Sequence, residues 1–321
     1  MAGLVLVTGA AGFAGGHLLS LLRRDGPVEG WYRPGVPPPS NAPSANEGVS
    51  WRAVDLRDAQ AVHQAIGNVR PTAIYHLAGA ANQGAAWANT DVTLELNALV
   101  THVLLTAVAQ HVPEARVLVT TSAAVYAPSD TALREDTVIA PATPYGVSKL
   151  AQEMVALQAA RHQHLDVVVV RPFNHIGPGQ DLGFFAPEFA RQLARIEAGL
   201  DSGPMRVGNL TPRRDICDVR DTVRAYHLLM RHGTRGEVYN VCRGEAVEIG
   251  QLLEMMRRAV TTPVEVVIAP EKLRPVDVPL LVGDHTRLSR ATGWMPELRL
   301  EQTMQDILAE QRARLAGRLT P

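Results

Sequence analysis

Short apolar runs alternate with longer helical patterns through the first half of the chain. Six of the runs are predicted to be strands: Leu4–Thr8, Val28–Tyr32, Trp51–Asp55, Ala73–Leu77, Arg116–Ser122 and Val167–Arg171. Apolar residues at helical spacing lie between several of them and predict helices at Phe13–Arg24, Asn89–Gln110 and Tyr145–His162. This alternation is typical of βαβ units, and unbroken apolar strands such as Val167–Val170 suit burial on both faces. We therefore expect an α/β fold built on a doubly wound, parallel Rossmann sheet.

The pattern becomes less regular after Arg171. Glycine and proline cluster at 172–187 and 203–212. Helical patterns and short strands follow, and they are predicted at 186–198, 219–231, 237–241, 249–260, 264–268 and 300–316. We expect a first domain over residues 1–171, with segments near 209–243 returning to its sheet. A smaller, mixed α/β domain over 172–321 is expected mainly to bind substrate. The stretch 37–50, rich in Pro, Ser and Asn, is predicted to be a surface loop.

Composition argues against several classes of protein. The formal net charge is −1, so neither nucleic acid nor an anionic membrane is an expected partner. No run of 18 apolar residues occurs, and the apolar N-terminus lacks the basic region of a signal peptide, so no membrane span is predicted. Cys217 and Cys242 are too few for a disulfide framework and lack metal-binding spacing. These features predict a cytoplasmic protein with reduced thiols and without a metal site.

A glycine-rich segment, TGAAGFAGG, joins the first predicted strand to the first predicted helix. It places Gly9, Gly12 and Gly15 at three-residue spacing. Glycine allows a tight turn and a close approach of the backbone to a pyrophosphate, while the N-terminus of the helix attracts the anion. Because a strand and a helix flank the glycines, the segment predicts dinucleotide binding. A purely structural turn is the alternative.

The ends of the next two predicted strands bear on the choice of dinucleotide. The second strand ends in Trp31-Tyr32-Arg33, without a carboxylate for a ribose 2′-hydroxyl. Arg33 can instead pair with a 2′-phosphate, which favours NADP(H) and leaves NAD(H) as the alternative; Arg33 can equally be a solvated loop residue. Asp55 is a candidate for the adenine amino group, for the N-cap of the following helix, or for both.

A second motif, YGVSK, places Tyr145 and Lys149 four residues apart on one helix face. A neighbouring ammonium is expected to lower the tyrosine pKa from its usual value of about 10 and to make the phenol a usable acid or base. Only two of the 31 basic residues are lysines, which weakens the reading of this pair as an ordinary solvated helix face. Ser122 ends a predicted strand whose carboxyl end should face the same cleft. Ser122, Tyr145 and Lys149 are therefore predicted to converge.

Several segments together resemble the extended short-chain dehydrogenase/reductase family that acts on nucleotide sugars. They are TGAAGFAGG, YHLAG, TSAAVY and YGVSK. Later segments resemble the members that reduce GDP-4-keto-6-deoxy-D-mannose: RPFNHIGPGQ, PRRDICDVRDTVRAY and RPVDVPLLVGDHTRL. The resemblance implies an NAD(P)-binding Rossmann domain, a Ser–Tyr–Lys triad and a C-terminal domain for a nucleotide-diphosphate sugar, with a GDP-sugar favoured. It also implies a homodimer joined through the helices at 89–110 and 145–162.

The resemblance assigns roles by position. The cofactor residues are Gly9, Gly12, Phe13, Ala14 and Gly15 at the pyrophosphate, Asp55 and Leu56 at the adenine, Leu77, Ala78 and Gly79 at the ribose, and Lys149 at the nicotinamide ribose. The substrate residues are Ser122 at the sugar, Asn174 at its diphosphate, and Arg214 and Arg274 near the nucleotide or diphosphate, although a surface ion pair is the alternative for either arginine. Asn97 is expected to order the active-site backbone or a water, and His175 to face the sugar or to serve the fold.

The reaction that the resemblance implies is reduction of the C4 ketone of a nucleotide-linked 4-keto-6-deoxyhexose. The expected substrate is GDP-4-keto-6-deoxy-D-mannose, with GDP-D-rhamnose or GDP-6-deoxy-D-talose as product. Sugar 4,6-dehydratases of this family carry a carboxylate just after the serine or threonine, where this chain has Ala123 and Ala124. A nucleotide-sugar 4-epimerase with tightly bound NAD remains the alternative. A non-catalytic, cofactor-sensing protein would have no use for the Tyr145–Lys149 pair.

Overall fold

The computed structural model describes residues 3–36, 38, 47–273 and 278–317. The strands are β1 (Val5–Thr8), β2 (Val28–Tyr32), β3 (Val49–Ala53), β4 (Ala73–His76), β5 (Arg116–Thr120), β6 (Asp166–Pro172), β7 (Asn174–Ile176), β8 (Met205–Val207), β9 (Arg213–Asp218), β10 (Val238–Val241), β11 (Ala246–Glu248), β12 (Val266–Ile268) and β13 (Leu280–Leu281). The helices are α1 (Phe13–Leu22), α2 (Ala59–Val69), α3 (Gln83–Ala88), α4 (Thr90–Leu94), α5 (Val100–His111), α6 (Pro144–His162), α7 (Phe185–Glu197), α8 (Val219–His232), α9 (Ile249–Arg257), α10 (Thr286–Thr292) and α11 (Leu300–Leu315). A π-helical turn at Glu95–Leu99 joins α4 to α5.

Seven of the described strands form one parallel sheet, in the order β10-β6-β5-β4-β1-β2-β3. Strand β1 lies between β2 and β4, so Val5 pairs with Val28 on one side and with Ala73 on the other. The chain first adds β2 and β3 on one side of β1 and then adds β4, β5, β6 and β10 on the other side, so the strand order reverses between β1 and β4. At such a switch point the carboxyl ends of the two strands leave a crevice for a ligand. The predicted doubly wound Rossmann fold is confirmed.

The later elements build a second, smaller core. Strands β11, β9 and β13 form a small sheet to which β7 adds, and β8 pairs with β12. The residues buried beneath them include Leu193, Ile216, Leu253 and Ile307. Strand β10 comes late in the chain but pairs with β6 at the edge of the large sheet. The domain limits placed at residues 171 and 172 stay a prediction.

Some predicted boundaries were wrong. Strand β3 covers Val49–Ala53, because its pairing with β2 runs from Val28↔Val49 to Tyr32↔Ala53; Asp55 therefore lies beyond the strand. Strand β5 ends at Thr120, and Ser122 begins a 3₁₀ turn because its Oγ accepts the N–H of Ala124 at 3.1 Å. Residues 49 and 50 of the predicted loop 37–50 lie in β3, whereas residues 37 and 39–46 lie outside the described residues.

The segment Thr90–His111 is helical throughout, and its length and mean hydropathy of 1.6 would allow it to cross a membrane. Polar residues interrupt the run, which is why no unbroken apolar stretch marks it in the sequence. Half of its most apolar window is buried inside the molecule, as in the core helix of a globular domain. This segment packs against α6, the helix that carries Tyr145 and Lys149.

Candidate active site

The glycine-rich turn between β1 and α1 has the shape that a pyrophosphate requires. Gly9 adopts a φ of +68°, and a Cβ there would lie 2.7 Å from the backbone nitrogen of Ala78. A Cβ on Gly15 would lie 2.2 Å from the carbonyl oxygen of Gly9. Gly12 is the N-cap of α1 and has no side chain to cap the N–H groups of Phe13 and Ala14. The turn thus fits the diphosphate of a dinucleotide.

An ion pair that the sequence did not predict lies beyond β3, where the adenine is expected. The guanidinium of Arg57 donates from Nε and Nη2 to the two carboxylate oxygens of Asp55, at 3.0 and 2.7 Å. This hydrogen bonding, with a smaller contribution from the charge of nearby Arg33, lowers the pKa of Asp55. Asp58, not Asp55, is the N-cap of α2, since its side chain accepts the N–H of Ala61. Asp55 is therefore not the cap of α2, and the adjacent Leu56 packs against the core.

The segment after β4 leads from the glycine turn to the helix α6. The N–H of Ala78 donates to Thr8 Oγ1 at 3.3 Å. A Cβ on Gly79 would lie 2.5 Å from Asn97 Oδ1 and 3.4 Å from Lys149 Nζ. Leu77, Ala78 and Gly79 therefore lie between the pyrophosphate turn and the lysine, where a ribose is expected.

Asn97 lies in the π-helical turn and is fully buried. Its Oδ1 accepts the N–H of Ala80 at 2.9 Å, and its Nδ2 donates to Ser148 Oγ at 2.8 Å. Asn97 thus orders the backbone after β4 against α6, which is one of the two roles expected for it.

Ser122, Tyr145 and Lys149 come together where α6 packs on the turn that follows β5. Thr143 caps α6 by accepting the N–H of Gly146, and Tyr145 and Lys149 are both buried. A Cβ on Gly146 would lie 2.4 Å from the carbonyl oxygen of Ala124, so the helix rests directly on the turn. The hydroxyl of Ser122 lies near the phenol of Tyr145 and lowers its pKa.

The electrostatics of the triad differ from the expectation. Burial raises the pKa of Tyr145, and the nearby hydroxyl of Ser122 offsets this only in part. Lys149 Nζ lies 6.0 Å from the centre of the tyrosine ring and donates to Thr120 O and Gln152 Oε1 instead. The predicted lowering of the tyrosine pKa was therefore wrong, because burial raises this pKa by more than Ser122 lowers it. A protonated phenol is the form that can donate a proton.

A buried ion pair between Arg171 and Glu153 holds residues near Ser122 by hydrogen bonds. Arg171 donates to both carboxylate oxygens of Glu153, at 2.9 and 2.6 Å, and to the hydroxyl of Tyr126 at 2.7 Å. Thr121 Oγ1 donates to Glu153 at 3.3 Å. Residues on both sides of Ser122 are thus held by one pair. Glu153 and Arg171 are 18 positions apart and lie on different elements, so no local spacing in the sequence signals this pair.

Two candidate substrate residues, Asn174 and Arg214, lie on the small sheet. Asn174 in β7 pairs with Ile216 in β9, two residues beyond Arg214. Arg214 Nη1 donates to the carbonyl oxygen of Arg213 at 3.0 Å. Arg274 lies outside the described residues. The structure brings Asn174 and Arg214 together on one sheet.

His175 contacts the cofactor turn. Its ring stacks on that of Phe13 with centroids 5.9 Å apart, and its Nδ1 is 3.1 Å from the carbonyl oxygen of Phe173. Burial lowers the pKa of His175, so the ring is neutral near pH 7. These contacts favour the structural alternative for this residue.

No group of three or more His, Cys, Asp or Glu side chains that could hold a metal ion occurs among the described residues. The polar groups brought together here include the triad and the hydrogen-bond partners of Lys149, Thr120 O and Gln152 Oε1. This arrangement can bind a dinucleotide and transfer a proton to a carbonyl oxygen.

Comparison with known proteins places this geometry in a family. The sequence model of the family described as GDP-mannose 4,6 dehydratase matches residues 6–307. The chain belongs to this family. Membership covers the Rossmann core and most of the smaller part of the chain, and it confirms the resemblance inferred from the motifs.

Individual relatives are similar over most of their length. GDP-6-deoxy-D-mannose reductase of Pseudomonas aeruginosa is 37% identical over 248 residues, which are 76% of this chain and 82% of that protein. The solved structure of RMD from Pseudomonas aeruginosa, complexed with NADPH, has a TM-score of 0.84 at 33% identity and covers 98% of this chain and 100% of its own. MoeE5, solved with UDP-glucose and NAD, has a TM-score of 0.84 at 30% identity and covers 97% of this chain and 99% of its own.

Proposed function

We propose that the protein is an NADPH-dependent reductase of the C4 ketone of a nucleotide-linked 4-keto-6-deoxyhexose, with GDP-4-keto-6-deoxy-D-mannose as the substrate. The observation that carries this proposal is the Ser122–Tyr145–Lys149 cluster, in which Tyr145 and Lys149 are buried and Ser122 is half-buried. Its serine turn continues into Ala123 and Ala124. The phenol of Tyr145 can transfer a proton to a carbonyl oxygen. The serine turn has no carboxylate that could remove the C5 proton of the sugar. The similarity to a GDP-6-deoxy-D-mannose reductase supports the same substrate.

The residues of the cluster have separate tasks in this reaction. When bound, NADPH supplies the hydride that reduces C4. Tyr145 Oη donates a proton to the C4 oxygen, so that the ketone becomes an alcohol, and Ser122 Oγ donates a hydrogen bond to the same oxygen. The ammonium of Lys149, buried in the same pocket, stabilises the negative charge left on the tyrosine oxygen.

NADPH is favoured over NADH by the charges at the adenine end of the crevice. Two guanidinium groups, of Arg33 and Arg57, lie near the carboxylate of Asp55. Glu95 also acts on Arg57, so it is the two guanidinium groups themselves, whose planar donors suit a 2′-phosphate, that favour NADPH. The P. aeruginosa structure was solved with NADPH, and NAD, as in MoeE5, is the alternative cofactor.

The remaining assignments follow from this reaction. The dinucleotide would bind in residues 1–171, with the returning segment near 209–243. The GDP-sugar would bind mainly in residues 172–321, with Asn174 and Arg214 at its diphosphate. We place the enzyme in the cytoplasm as a homodimer, joined through the segments at 89–110 and 145–162.

The reaction can be tested by supplying GDP-4-keto-6-deoxy-D-mannose and NADPH and following the loss of absorbance of the reduced cofactor. We expect one NADPH to be consumed for each sugar. NMR of the product should show whether the configuration at C4 is that of D-rhamnose or of 6-deoxy-D-talose. An epimerase would convert a nucleotide sugar without net consumption of NADPH. Consumption only with the keto sugar of another nucleotide would overturn the choice of GDP.

Substitution of Tyr145 by Phe tests the proposed proton donor. Tyr145→Phe removes the hydroxyl but keeps the buried ring, so we expect turnover to fall by about 10²-fold or more. NADPH affinity, measured by fluorescence titration, should stay within a small factor of wild type, because the glycine turn and Lys149 are untouched. A variant with a rate near wild type would remove Tyr145 from this role.

A further inference from the structure

The amine of Lys149 depends on a neutral side chain for its position. Gln152 follows it by one helical turn on α6 and is fully buried. Lys149 Nζ donates to Gln152 Oε1 at 2.8 Å and to Thr120 O at 3.2 Å. The described residues contain no ion pair to Lys149, so an amide oxygen and a backbone carbonyl are what stabilise its charge.

A chain of buried hydrogen bonds fixes the orientation of the Gln152 amide. Gln152 Nε2 donates to Thr101 Oγ1 at 3.0 Å, and the Thr101 hydroxyl donates its own proton to Asn97 O at 2.6 Å. The second lone pair of Thr101 faces His76 Nε2 at 2.9 Å. His76 Nε2 must therefore carry the ring proton, and His76 Nδ1 accepts from Thr8 Oγ1 at 2.7 Å. A reversed amide would turn its N–H groups toward the ammonium of Lys149.

The surroundings make the charge of this lysine sensitive to its acceptors. Burial lowers the pKa of Lys149 to about 7. The other titratable groups that face it are Tyr145 on α6 and His76 on β4, and burial followed by the charge of Lys149 lowers the pKa of His76 to about 3. The carboxylate of Glu153 is engaged by Arg171. No neighbouring anion thus compensates for the loss of an acceptor.

We propose that Gln152 is a positioning residue that keeps Lys149 protonated and directed into the crevice, through a hydrogen-bond chain that runs by Thr101 and His76 to Thr8 at the glycine turn. This inference rests on the role of Lys149 in the proposed reaction. The chain also connects the two motifs, since Thr8 directly precedes Gly9.

The low lysine content allows a direct measurement. Lys149 and Lys272 are the two lysines of the chain, so protein grown with ¹³C-labelled lysine gives two side-chain signals. Lys272 pairs with Glu188 on the surface, and Lys272→Arg leaves Lys149 as the one labelled amine. The pH titration of its signal in the full-length protein, without substrate, reports the pKa of Lys149.

Two substitutions at Gln152 should move that titration in opposite directions. Gln152→Met keeps the length of the side chain but removes the acceptor, so we expect the midpoint to fall by about one pH unit. Gln152→Glu places an anion at the same position, so we expect the midpoint to rise by about one pH unit or more. Gln158 is exposed on the same helix, and Gln158→Met and Gln158→Glu are the matched controls. Neither control should move the midpoint appreciably.

The result that would overturn the proposal is a Lys149 midpoint that is unmoved by both Gln152 variants or shifted by both in the same direction. If Gln152→Met fails to fold, the upward shift in Gln152→Glu still decides the question. With substrate, the alkaline limb of the kcat profile should follow the midpoint of each variant. A shifted midpoint without any keto-sugar reduction would uphold the role of Gln152 and reject the proposed reaction. Keto-sugar reduction with unshifted midpoints would uphold the reaction and reject the role of Gln152.

Discussion

Gly15 lies where α1 meets the turn that precedes it, and its missing side chain is a steric requirement. A Cβ there would lie 2.2 Å from Gly9 O and 2.8 Å from Ala10 Cα. Both are backbone atoms, which cannot move without distorting the turn. We expect Gly15→Ala to cost about 1–3 kcal/mol of unfolding free energy and to weaken NADPH binding by distorting the turn. Thermal unfolding and fluorescence titration measure the two effects.

Gly16 provides the control one residue further on. A Cβ at Gly16 meets nothing within 4 Å, and in a helix alanine is favoured over glycine by roughly 0.5–1 kcal/mol. Gly16→Ala should therefore bind NADPH normally and be no less stable than wild type. Equal NADPH affinity in the two variants would show that the close approach at Gly15 is not required.

At this scale the sequence predicted the residues whose spacing is local. Gly9, Gly12 and Gly15 lie within one turn, and Tyr145 and Lys149 lie within one helix, so their proximity follows from backbone geometry alone. Gln152 was missed, because its partner Thr101 is 51 positions away and is reached only through packing. Arg57 was missed because the predicted strand was shifted by two residues, which hid the ion pair with Asp55.

Strand β6, helix α6 and the serine turn are held together by the ion pair of Arg171 with Glu153. Both side chains are 3% exposed, so removing one charge strands the other away from water. We expect Glu153→Gln to lower the unfolding free energy by about 3–5 kcal/mol, measured by urea denaturation. The double variant Arg171→Met/Glu153→Met should be less destabilised than Arg171→Met alone, since no charge is left unpaired.

The exposed pair of Arg134 with Asp136 is the matched comparison. These side chains are 64% and 71% exposed at a separation of 3.4 Å, where solvent screens the attraction. Asp136→Asn should change stability little. Similar losses for Asp136→Asn and Glu153→Gln would mean that burial of the Arg171 pair has no energetic consequence.

Whether a strand or helix could be predicted from the sequence depended on how its residues are buried. Val167–Val170 in β6 are apolar on both faces and were predicted as a strand. Strand β2 has the predicted limits, although it also buries Glu29. Helix α2 was expected only as a helix after Asp55, without limits and with the wrong cap, and α3 was not predicted, although Asp58 and Asn82 cap them. Strands β7 and β11 have three residues each, too few to show a period. Their limits depend on a neighbouring strand, β9, which the local sequence does not reveal.

Apolar side chains are exposed on the two segments that are proposed to form the dimer. Val92 and Leu99 lie seven residues apart on the segment Thr90–His111, and Val147 and Met154 lie seven apart on α6. The two segments pack against each other, and we expect their exposed residues to form one apolar surface. A two-fold axis through such a surface would bury it against its own copy.

Met154 gives the sharpest test of this interface. Its side chain is 63% exposed and points away from the buried residues of α6, so Met154→Glu should leave the fold and the triad intact. Burying two carboxylates at a symmetric apolar interface is costly, and we expect the variant to be a monomer when light scattering gives a dimer for wild type. Met295 is 54% exposed outside these segments, and Met295→Glu should remain dimeric. A dimeric Met154→Glu would place the interface elsewhere, whereas a monomeric wild type would leave the apolar surface without a second copy.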